Sequence, residues 1–496
     1  MLRVIKVMSS LLLRLLFHKI HFLFSLFFKN HFCFCFLVGL YIFTEIIHPQ
    51  QNKTYKTMKK QLLTISLSVL ALGFSFAQNT NKCATMPVYY EHMQNPVAKT
   101  NFINAETAAK NWLTNPANKV IAHQKQASII TIPVVVHVVY KNAIQNIPDT
   151  QIVRQIQLLN ECFRLQNANF PTGRAIFDSI GADTEIQFCL AGIDPQGNPT
   201  TGIIRKSAPS NAAFDPIFNM DKVKSSTTNG SNPWPNDKYL NMWVCDMSFF
   251  GITAVLGYAT FPGESPALDG VVIQSEYFGY GTAAAPNNLG KTTIHEVGHY
   301  FGMRHIWADD DSQATGQCDS TDFVYDTPNQ AAKSESDCNL TINSCSNEDP
   351  YWGTIDPQDM VENYMDYSAD ACMAMFTKGQ KARMYSFLNT DPARMAIKNS
   401  PASCSTVGIK DLYTNFSNYL FVYPNPVSDN LHINIAQITP SDLKCEIYNT
   451  NGQLVEEIKH LDFQNTVSLS DLSNGIYVIK VYNAEVSAIK KITIAK

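Results

Sequence analysis

The sequence predicts an α/β (α+β) domain with a mixed sheet, followed by a small all-β sandwich. Three observations support this prediction. Between about residues 127 and 400, β-branched runs alternate with segments of helical periodicity. A linker is predicted at 401–416, which begins with Pro-Ala-Ser-Cys-Ser. Residues 417–496 then show short strand-like runs separated by Asn-Pro, Asn-Gly and Ser-Asn-Gly turns.

The individual elements follow from local patterns. Residues 129–140 form a β-branched run typical of a buried strand, and residues 151–163 carry apolar side chains at helical spacing. A helix is predicted to begin near Asn288. Further strand-like runs lie at 185–190, 239–245, 256–261 and 270–275. Turns at 423–426, 449–452 and 472–475 predict a sandwich of about 80 residues.

The amino-terminal region predicts export. Residues 58–77 have a basic start, a short apolar stretch and the cleavage site Ser75-Phe76-Ala77, which together indicate a signal peptide. Residues 1–57 are interpreted as an upstream start that overshoots Met58, and a membrane anchor around 32–47 is the alternative. The polar residues 78–126, with a helical stretch near 105–113, are predicted to be a pro-segment.

The net charge and the cysteines narrow the class of protein. The net charge of −4 comes without a basic domain and argues against a nucleic-acid partner. In an exported protein the clustered cysteines are expected to pair, and the sequence alone allows three connectivities. The clustered residues are Cys318, Cys338, Cys345 and Cys372. Cys162, Cys189 and Cys245 cannot be assigned to partners.

A histidine motif gives the chemistry. His295 and His299 are four residues apart, so both can face one ion from one side of a helix. Gly302 ends that helix cheaply and lets His305 return as a third ligand. Three nitrogens with one open position are the pattern of a catalytic zinc. The alternative is a helix whose histidines have other partners, and His137 is expected to be a core or surface residue.

Glu296 follows the first histidine and is expected to face the open position. Zinc lowers the pKa of a bound water and polarises a carbonyl group. Glu296 would accept the proton of the water and deliver it to the leaving amine.

These residues match the metzincin signature, and the stretch 362–368, Glu-Asn-Tyr-Met-Asp-Tyr-Ser, resembles the pappalysin family in its cytophagalysin and ulilysin branch. The resemblance continues through 370–380 and 318–328 and covers most of 127–400. It implies a metzincin catalytic domain in which Met365 forms a floor beneath the imidazoles. It also implies that Tyr367 donates a hydrogen bond to the oxyanion, and that an extended peptide adds to an edge strand at 256–259.

The same resemblance implies a pocket, a second metal and two disulfides. Asp370 would lie in the pocket for the residue after the cut and select Arg or Lys, whereas the alternative is a solvated loop aspartate. The oxygen-rich stretch 322–328 would bind calcium, and an acidic surface turn is the alternative. The calcium ligands would be Asp322, Val324, Asp326 and Thr327. The favoured disulfides are Cys318–Cys345 and Cys338–Cys372.

Cys83 lies in the predicted pro-segment. A thiolate is a strong zinc ligand, so Cys83 could occupy the water site and keep the enzyme latent, as in a cysteine switch. The alternative is a free or mispaired cysteine. Self-cleavage before Lys119 or Lys125 would agree with the Asp370 pocket.

The C-terminal sandwich is similar to the type A sorting domain of the type IX secretion system, through 423–426, 447–452, 472–478 and 489–494. A carbohydrate- or cell-binding module is the alternative. Sorting implies contact with the type IX machinery, passage across the outer membrane, and release or surface attachment without a stable membrane span.

Taken together, the sequence predicts a secreted zinc endopeptidase that is made as a zymogen and acts on proteins and peptides. A catalytically silent surface adhesin on the same fold is the alternative. An exopeptidase would need a feature that recognises a chain end, and the sequence offers none.

Overall fold

The structure is a computed structural model, and it describes residues 81–118, 129–249, 251–279, 283, 285–308, 318, 320–334, 338–346, 351–404, 416, 420–435, 443–462, 464–483 and 487–496. The predicted upstream start and signal peptide lie outside the described residues, as do Lys119 and Lys125. Among the described helices, none is long and apolar enough to cross a membrane.

Seven of the described strands form a mixed sheet in the order β1-β6-β7-β5-β2-β3, with β4 also paired to β2. Neighbours are parallel, except for β6 and β7, which are antiparallel. This confirms the predicted fold class. The strands are β1 (Asn81–Cys83), β2 (Ile130–Tyr140), β3 (Ile186–Leu190), β4 (Ile203–Ser207), β5 (Leu240–Cys245), β6 (Val255–Ala259) and β7 (Val271–Gln274).

The helices lie on the sheet and around its edges: α1 (Thr85–His92), α2 (Pro96–Thr114), α3 (Asp149–Phe163), α4 (Ala175–Asp178), α5 (Lys291–Tyr300), α6 (Lys378–Leu388) and α7 (Pro392–Lys398). Short 3₁₀ turns lie at Lys222–Lys224, Ser226–Thr228 and Ser275–Tyr277. The predicted helix near Asn288 begins at Lys291, because Gly290 before it has a left-handed φ of 71°.

One core holds the histidine helix in place. The apolar sides of α3 and α5 share a cluster with β2, β5 and β7, and Leu159, Phe163, Ile294 and Val297 are all fully buried in it. The opposite face of the sheet carries a second cluster, in which Trp243 and Tyr258 pack against Val88 of α1. Helix α1 therefore contributes to the packing of the sheet.

The C-terminal strands form two antiparallel sheets around a shared apolar core, as a small sandwich requires. The four-stranded sheet has the order β11-β10-β13-β14, and the three-stranded sheet has the order β12-β9-β8. The strands are β8 (Leu420–Tyr423), β9 (Asn430–Ile435), β10 (Lys444–Asn449), β11 (Leu454–Ile458), β12 (Gln464–Ser468), β13 (Gly475–Tyr482) and β14 (Ser487–Ile494).

Three disulfides join cysteines among the described residues. Two join the clustered cysteines as the family resemblance implies, Cys318 to Cys345 and Cys338 to Cys372. The third joins Cys189 of β3 to Cys404, across 215 residues of sequence. Sequence reasoning missed this bond because the two cysteines lie in separate segments that only the folded sheet brings together.

A buried ion pair ties the end of the histidine helix to the sheet. Arg394 and Asp269 are each 1% exposed, and the guanidinium donates to both carboxylate oxygens, at 2.6 and 2.9 Å. Its Nε donates to the carbonyl oxygen of Tyr300, the last residue of α5, at 2.9 Å. The pair therefore fixes the point at which the chain leaves that helix.

Replacing Asp269 by Asn should leave the buried guanidinium charge of Arg394 without its counter-charge and lower the free energy of unfolding by about 3–5 kcal/mol. The matched control is Asp149→Asn, because Asp149 pairs with Arg205 and its side chain is 63% exposed. That change should cost less than about 1 kcal/mol. Urea unfolding of both variants tests this, and equal effects would contradict the assigned role of the Arg394 pair.

Candidate active site

The first two histidines lie one turn apart on α5, and a tight turn directs the third towards them. Gly302 has a left-handed φ of 87°, and its N–H donates to the carbonyl oxygen of His299 at 2.8 Å. The N–H of Met303 reaches back to the carbonyl oxygen of Gly298 at 3.0 Å. This is a Schellman ending, which glycine adopts cheaply. It places His305 against His295 and His299.

The three imidazoles meet at one point. The Nε2 atoms of His295, His299 and His305 are 3.1 Å apart in every pair. The Nδ1 atom of His295 is 2.7 Å from the carbonyl oxygen of Tyr364, and that of His299 is 2.7 Å from the carbonyl oxygen of Met303. A carbonyl oxygen only accepts, so both Nδ1 atoms must donate. In the neutral rings, the two Nε2 atoms therefore carry lone pairs.

This geometry fits a bound cation. Burial lowers the pKa of His295 and His299 well below the usual range, so both rings are neutral. Their lone pairs point at one another across 3.1 Å, which is repulsive unless a positive ion lies between them. Three nitrogens in tetrahedral positions around one zinc lie about 3.3 Å apart. The donor set is that of a metal site.

Cys83 is the fourth member of this cluster. Its Sγ and one nitrogen from each of the three rings all lie within 4.8 Å of one another, and all four residues are buried. Cys83 belongs to β1, which pairs with β6 opposite Gly257. The strand therefore carries the thiol to the position that faces the three rings.

Glu296 lies beside the cluster and is fully buried. Its Oε2 accepts hydrogen bonds from Thr85 Oγ1 at 2.8 Å and from Cys83 Sγ at 3.4 Å. Its Oε1 is buried with no hydrogen-bond partner among the described residues. Burial raises the pKa of Glu296 to about 8, against the two hydrogen bonds. The carboxyl group is placed to exchange a proton with whatever occupies the thiol position.

The stretch 364–367 packs beneath and beside the rings. Met365 is fully buried, and a Cβ atom on Gly298 would lie 2.5 Å from its Sδ, so only glycine allows this approach. The ring of Tyr367 lies 5.0 Å from that of His305, and its hydroxyl donates to the carbonyl oxygen of Cys83 at 3.1 Å. Both residues therefore lie at the imidazole cluster, as the family resemblance implies.

Asp370 is 1% exposed, so the alternative of a solvated loop residue is wrong. Its Oδ2 accepts from the backbone N–H groups of Leu289 and Lys291, at 2.9 and 3.3 Å, at the start of α5. Its Oδ1 lies 3.6 Å from Nζ of Lys82, which also donates to the carbonyl oxygen of Ser368. A lysine of the amino-terminal segment therefore lies in the pocket of Asp370.

The amino-terminal segment 81–118 runs beside β6 and contacts the imidazole cluster. Along β6, the N–H of Ala84 donates to the carbonyl oxygen of Gly257, and Thr85 Oγ1 accepts from the N–H of Ala259. At the end of α1, His92 lies between Asp221 and Glu264, at 2.7 and 2.6 Å. Burial alone would lower the pKa of His92, but hydrogen bonds to these carboxylates raise it to about 9.

The four residues predicted to bind calcium are also buried. Asp322 accepts from Thr327 Oγ1 and from the N–H of Val324, whereas Asp326 accepts from Thr377 and Gly379. Burial raises the pKa of Asp322 to about 7 and that of Asp326 to about 6. Within the described residues, the only grouping of three or more metal-binding side chains is the histidine cluster. Calcium therefore stays a prediction.

Comparison with known proteins decides the family. Residues 224–389 match a peptidase family profile described as pregnancy-associated plasma protein-A. An extracellular metalloprotease from Pyricularia oryzae is 31% identical over 344 residues, which are 68% of this chain and 96% of the relative. The chain belongs to the pappalysin family of metalloproteases. It is thus a peptide hydrolase that uses a metal.

Other relatives of this pappalysin agree. An extracellular metalloprotease from Arthroderma otae is 30% identical over 51% of this chain and 76% of the relative. The solved structure of a promirolysin mutant from Tannerella forsythia is 38% identical, covers 64% of this chain and 97% of that one, and gives a TM-score of 0.52. Residues 421–495 match a secretion system C-terminal sorting domain. The protein is a secreted or cell-surface metalloprotease.

Sequence reasoning missed several residues of the site. It singled out Cys83 but not Lys82, Thr85 or His92, which join the segment to the Asp370 pocket, to Glu296 and to two carboxylates. A basic residue directly before the thiol was the available signal for Lys82. Nothing in the sequence pattern pointed to His92, since its two partners lie 129 and 172 residues away.

Proposed function

We propose that this metalloprotease is a zinc endopeptidase, that it is made as a latent precursor, and that it cuts before Arg or Lys. The supporting observation is one buried cluster in which three imidazole nitrogens, a carboxyl group and a thiol meet. Beside that cluster, a lysine of the same segment that carries the thiol pairs with Asp370.

His295, His299 and His305 would hold the zinc, because their Nε2 atoms converge and two of them have no proton to share. Bound zinc supplies an activated water and polarises the scissile carbonyl. Glu296 would take the proton from the water and pass it to the leaving amine. The free Oε1 of Glu296 agrees with that exchange.

Tyr367 would stabilise the negative oxygen that forms during attack. In the latent form its hydroxyl donates to the carbonyl oxygen of Cys83, the residue whose side chain lies against the imidazoles. A substrate carbonyl in the same place would receive the same hydrogen bond, and the bond would strengthen as charge develops. Met365 would only support the metal-binding histidines, because it fills the space beneath Gly298 of their helix.

Asp370 would select the residue after the cut. Its Oδ1 has no hydrogen-bond partner among the described residues, although Lys82 Nζ approaches it at 3.6 Å. A guanidinium, which presents two donors in one plane, would satisfy this oxygen better than an amine does. This favours Arg over Lys and excludes acidic residues from the pocket.

Latency would come from residues 81–118 as a whole. Cys83 takes the place of the water, Lys82 takes the place of the substrate side chain, and β1 occupies the edge of β6 that an extended substrate would use. Cleavage before Lys119 or Lys125 would begin the release. In this proposal residues 78–126 are the pro-segment and 127–400 the catalytic domain, between a signal peptide at 58–77 and a sorting domain at 417–496. Calcium at 322–327 would stiffen the loop beside α6.

The second candidate, a silent surface adhesin, would have no use for a proton carrier. Glu296 is retained, fully buried and directed at the thiol position, so it favours the enzyme.

Glu296→Ala should keep one zinc per chain, because the three imidazoles are untouched, and should reduce casein digestion by the processed protein by about 10²–10⁴-fold. Metal analysis and a fluorescent casein assay measure the two quantities. Asp149→Asn is the control and should retain full activity. An inactive processed wild type would support the adhesin instead.

Asp370→Asn should remove the charge that pairs with the substrate, while keeping an oxygen for the N–H groups of Leu289 and Lys291. The ratio of kcat/KM for peptides with Arg and with Leu after the cut should fall by about 30-fold or more, as expected for losing one member of a buried charge pair. A wild-type digest of a peptide library with neither Arg nor Lys after the cuts would contradict this pocket.

Cys83→Ser should weaken latency, because a hydroxyl is a poorer zinc ligand than a thiolate. We expect the intact precursor to hydrolyse a short fluorogenic peptide about tenfold faster or more, measured before gels show any processing. Cys445→Ser is the matched control, since Cys445 is also a free buried cysteine but lies in the C-terminal sandwich. A Cys83→Ser precursor as silent as the control would rule out the switch.

A further inference from the structure

Residues 81–118 contact the cleft on both sides of the imidazole cluster. On one side Lys82 reaches Asp370. On the other side, α1 and α2 pack against Phe261 and Arg304. Arg304 directly precedes His305, one of the three predicted metal ligands. In the function proposed above, the side with Asp370 binds the substrate residue that follows the cut. The other side has no assigned role.

The register along β6 separates the two sides. Cys83 pairs with Gly257, Thr85 meets Ala259, and Phe261 follows two residues later. The ring of Phe261 lies edge-on to the imidazole of His299, with 5.5 Å between the ring centroids. Phe261 and Arg304 thus lie next to the imidazole cluster, at the opposite end from Asp370, where residues before the cut would lie.

Arg304 is poorly satisfied in this position. Its guanidinium lies over Phe261 at 4.1 Å and over Tyr89 of α1 at 4.7 Å. Its Nη1 donates to Sδ of Met86 at 3.4 Å, and a thioether sulfur is a weak acceptor. Its Nε is buried with no hydrogen-bond partner among the described residues. Tyr89 and Met86 both belong to the segment that would leave.

The same segment brings a carboxylate to this surface. The carboxylate of Glu106 in α2 accepts hydrogen bonds from both terminal nitrogens of Arg383, at 2.8 and 2.9 Å. Burial would raise the pKa of Glu106, yet Arg383 and Arg304 together bring it below its usual value. A cavity of about 10 Å³ has Glu106, Arg304 and Phe261 in its walls. Loss of residues 81–118 would leave two guanidinium groups without this carboxylate.

We propose that Arg304, supported by the ring of Phe261, forms a subsite for an acidic side chain on the amino-terminal side of the scissile bond. This rests on the function proposed above. A substrate carboxylate takes over the electrostatic role of Glu106 and can pair with two guanidinium donors in one plane. The Phe261 ring holds the guanidinium flat from the other face. Arg383 stays fixed to the carbonyl oxygen of Gly302 and adds positive charge.

The test uses the processed protease and peptides that all carry Arg after the cut. Glu, Gln, Lys or Phe is placed at the second, third or fourth position before the cut, and kcat/KM is measured for each. We expect Glu to exceed Gln by about fivefold at one of these positions in the wild type, and the advantage to shrink as salt is added. Arg304→Gln should bring the ratio close to one, and Arg304→Lys should retain part of it.

The ratio cancels any general loss of activity in a variant. The matched control is Arg205→Gln, which removes an arginine from β4, a strand paired with β2 and remote from β6 in the sheet order. It should keep the wild-type ratio. Equal rates for Glu and Gln at all three positions, a ratio unchanged in Arg304→Gln, or a preference for Phe instead would overturn the subsite. Cleavage before Arg would still stand in those cases, whereas no cleavage of any peptide would refute the proposed function itself.

Discussion

Three imidazole nitrogens held 3.1 Å apart are the constraint on which the rest of this structure depends. Without a cation the lone pairs of His295 and His299 repel, so the fold must hold the rings there. It does so with a helix, a glycine turn and two carbonyl acceptors, from Tyr364 and Met303. The buried Arg394–Asp269 pair and the packing of Met365 on Gly298 support the same helix from outside. Much of the core thus serves to keep three rings converged.

Residues 81–118 make several unlike contacts with one cleft. A thiol faces the rings, an amine faces Asp370, a hydroxyl binds Glu296, and a protonated imidazole joins two carboxylates. Each contact is polar, and Lys82 and His92 each lie beside carboxylates. In our proposal the segment therefore blocks the cleft by resembling a bound substrate, which explains how one element can hold latency and at the same time mark the specificity sites.

The histidine site was predictable because its signal is local: three histidines, a glutamate and a glycine within eleven residues. The strand at 129–140 was predictable for the same reason, since a long β-branched run is typical of a buried strand. What escaped prediction depends on distant partners. The strand β1 has three residues and pairs with the edge of β6. Helix α6 carries the buried residues Lys381 and Arg383, which form ion pairs with Glu185 and Glu106. Cys404 and His92 were missed for the same reason.

The most direct test of the shared metal position is zinc X-ray absorption of the intact precursor and of the processed protein. In the precursor we predict that zinc has three imidazole nitrogen neighbours and one sulfur neighbour, with the sulfur at about 2.3 Å. After processing we predict the same three nitrogens, with an oxygen in place of the sulfur. A precursor that holds no zinc, or whose zinc has no sulfur neighbour or fewer than three imidazoles, would contradict the convergence of Cys83 and the three histidines on one ion.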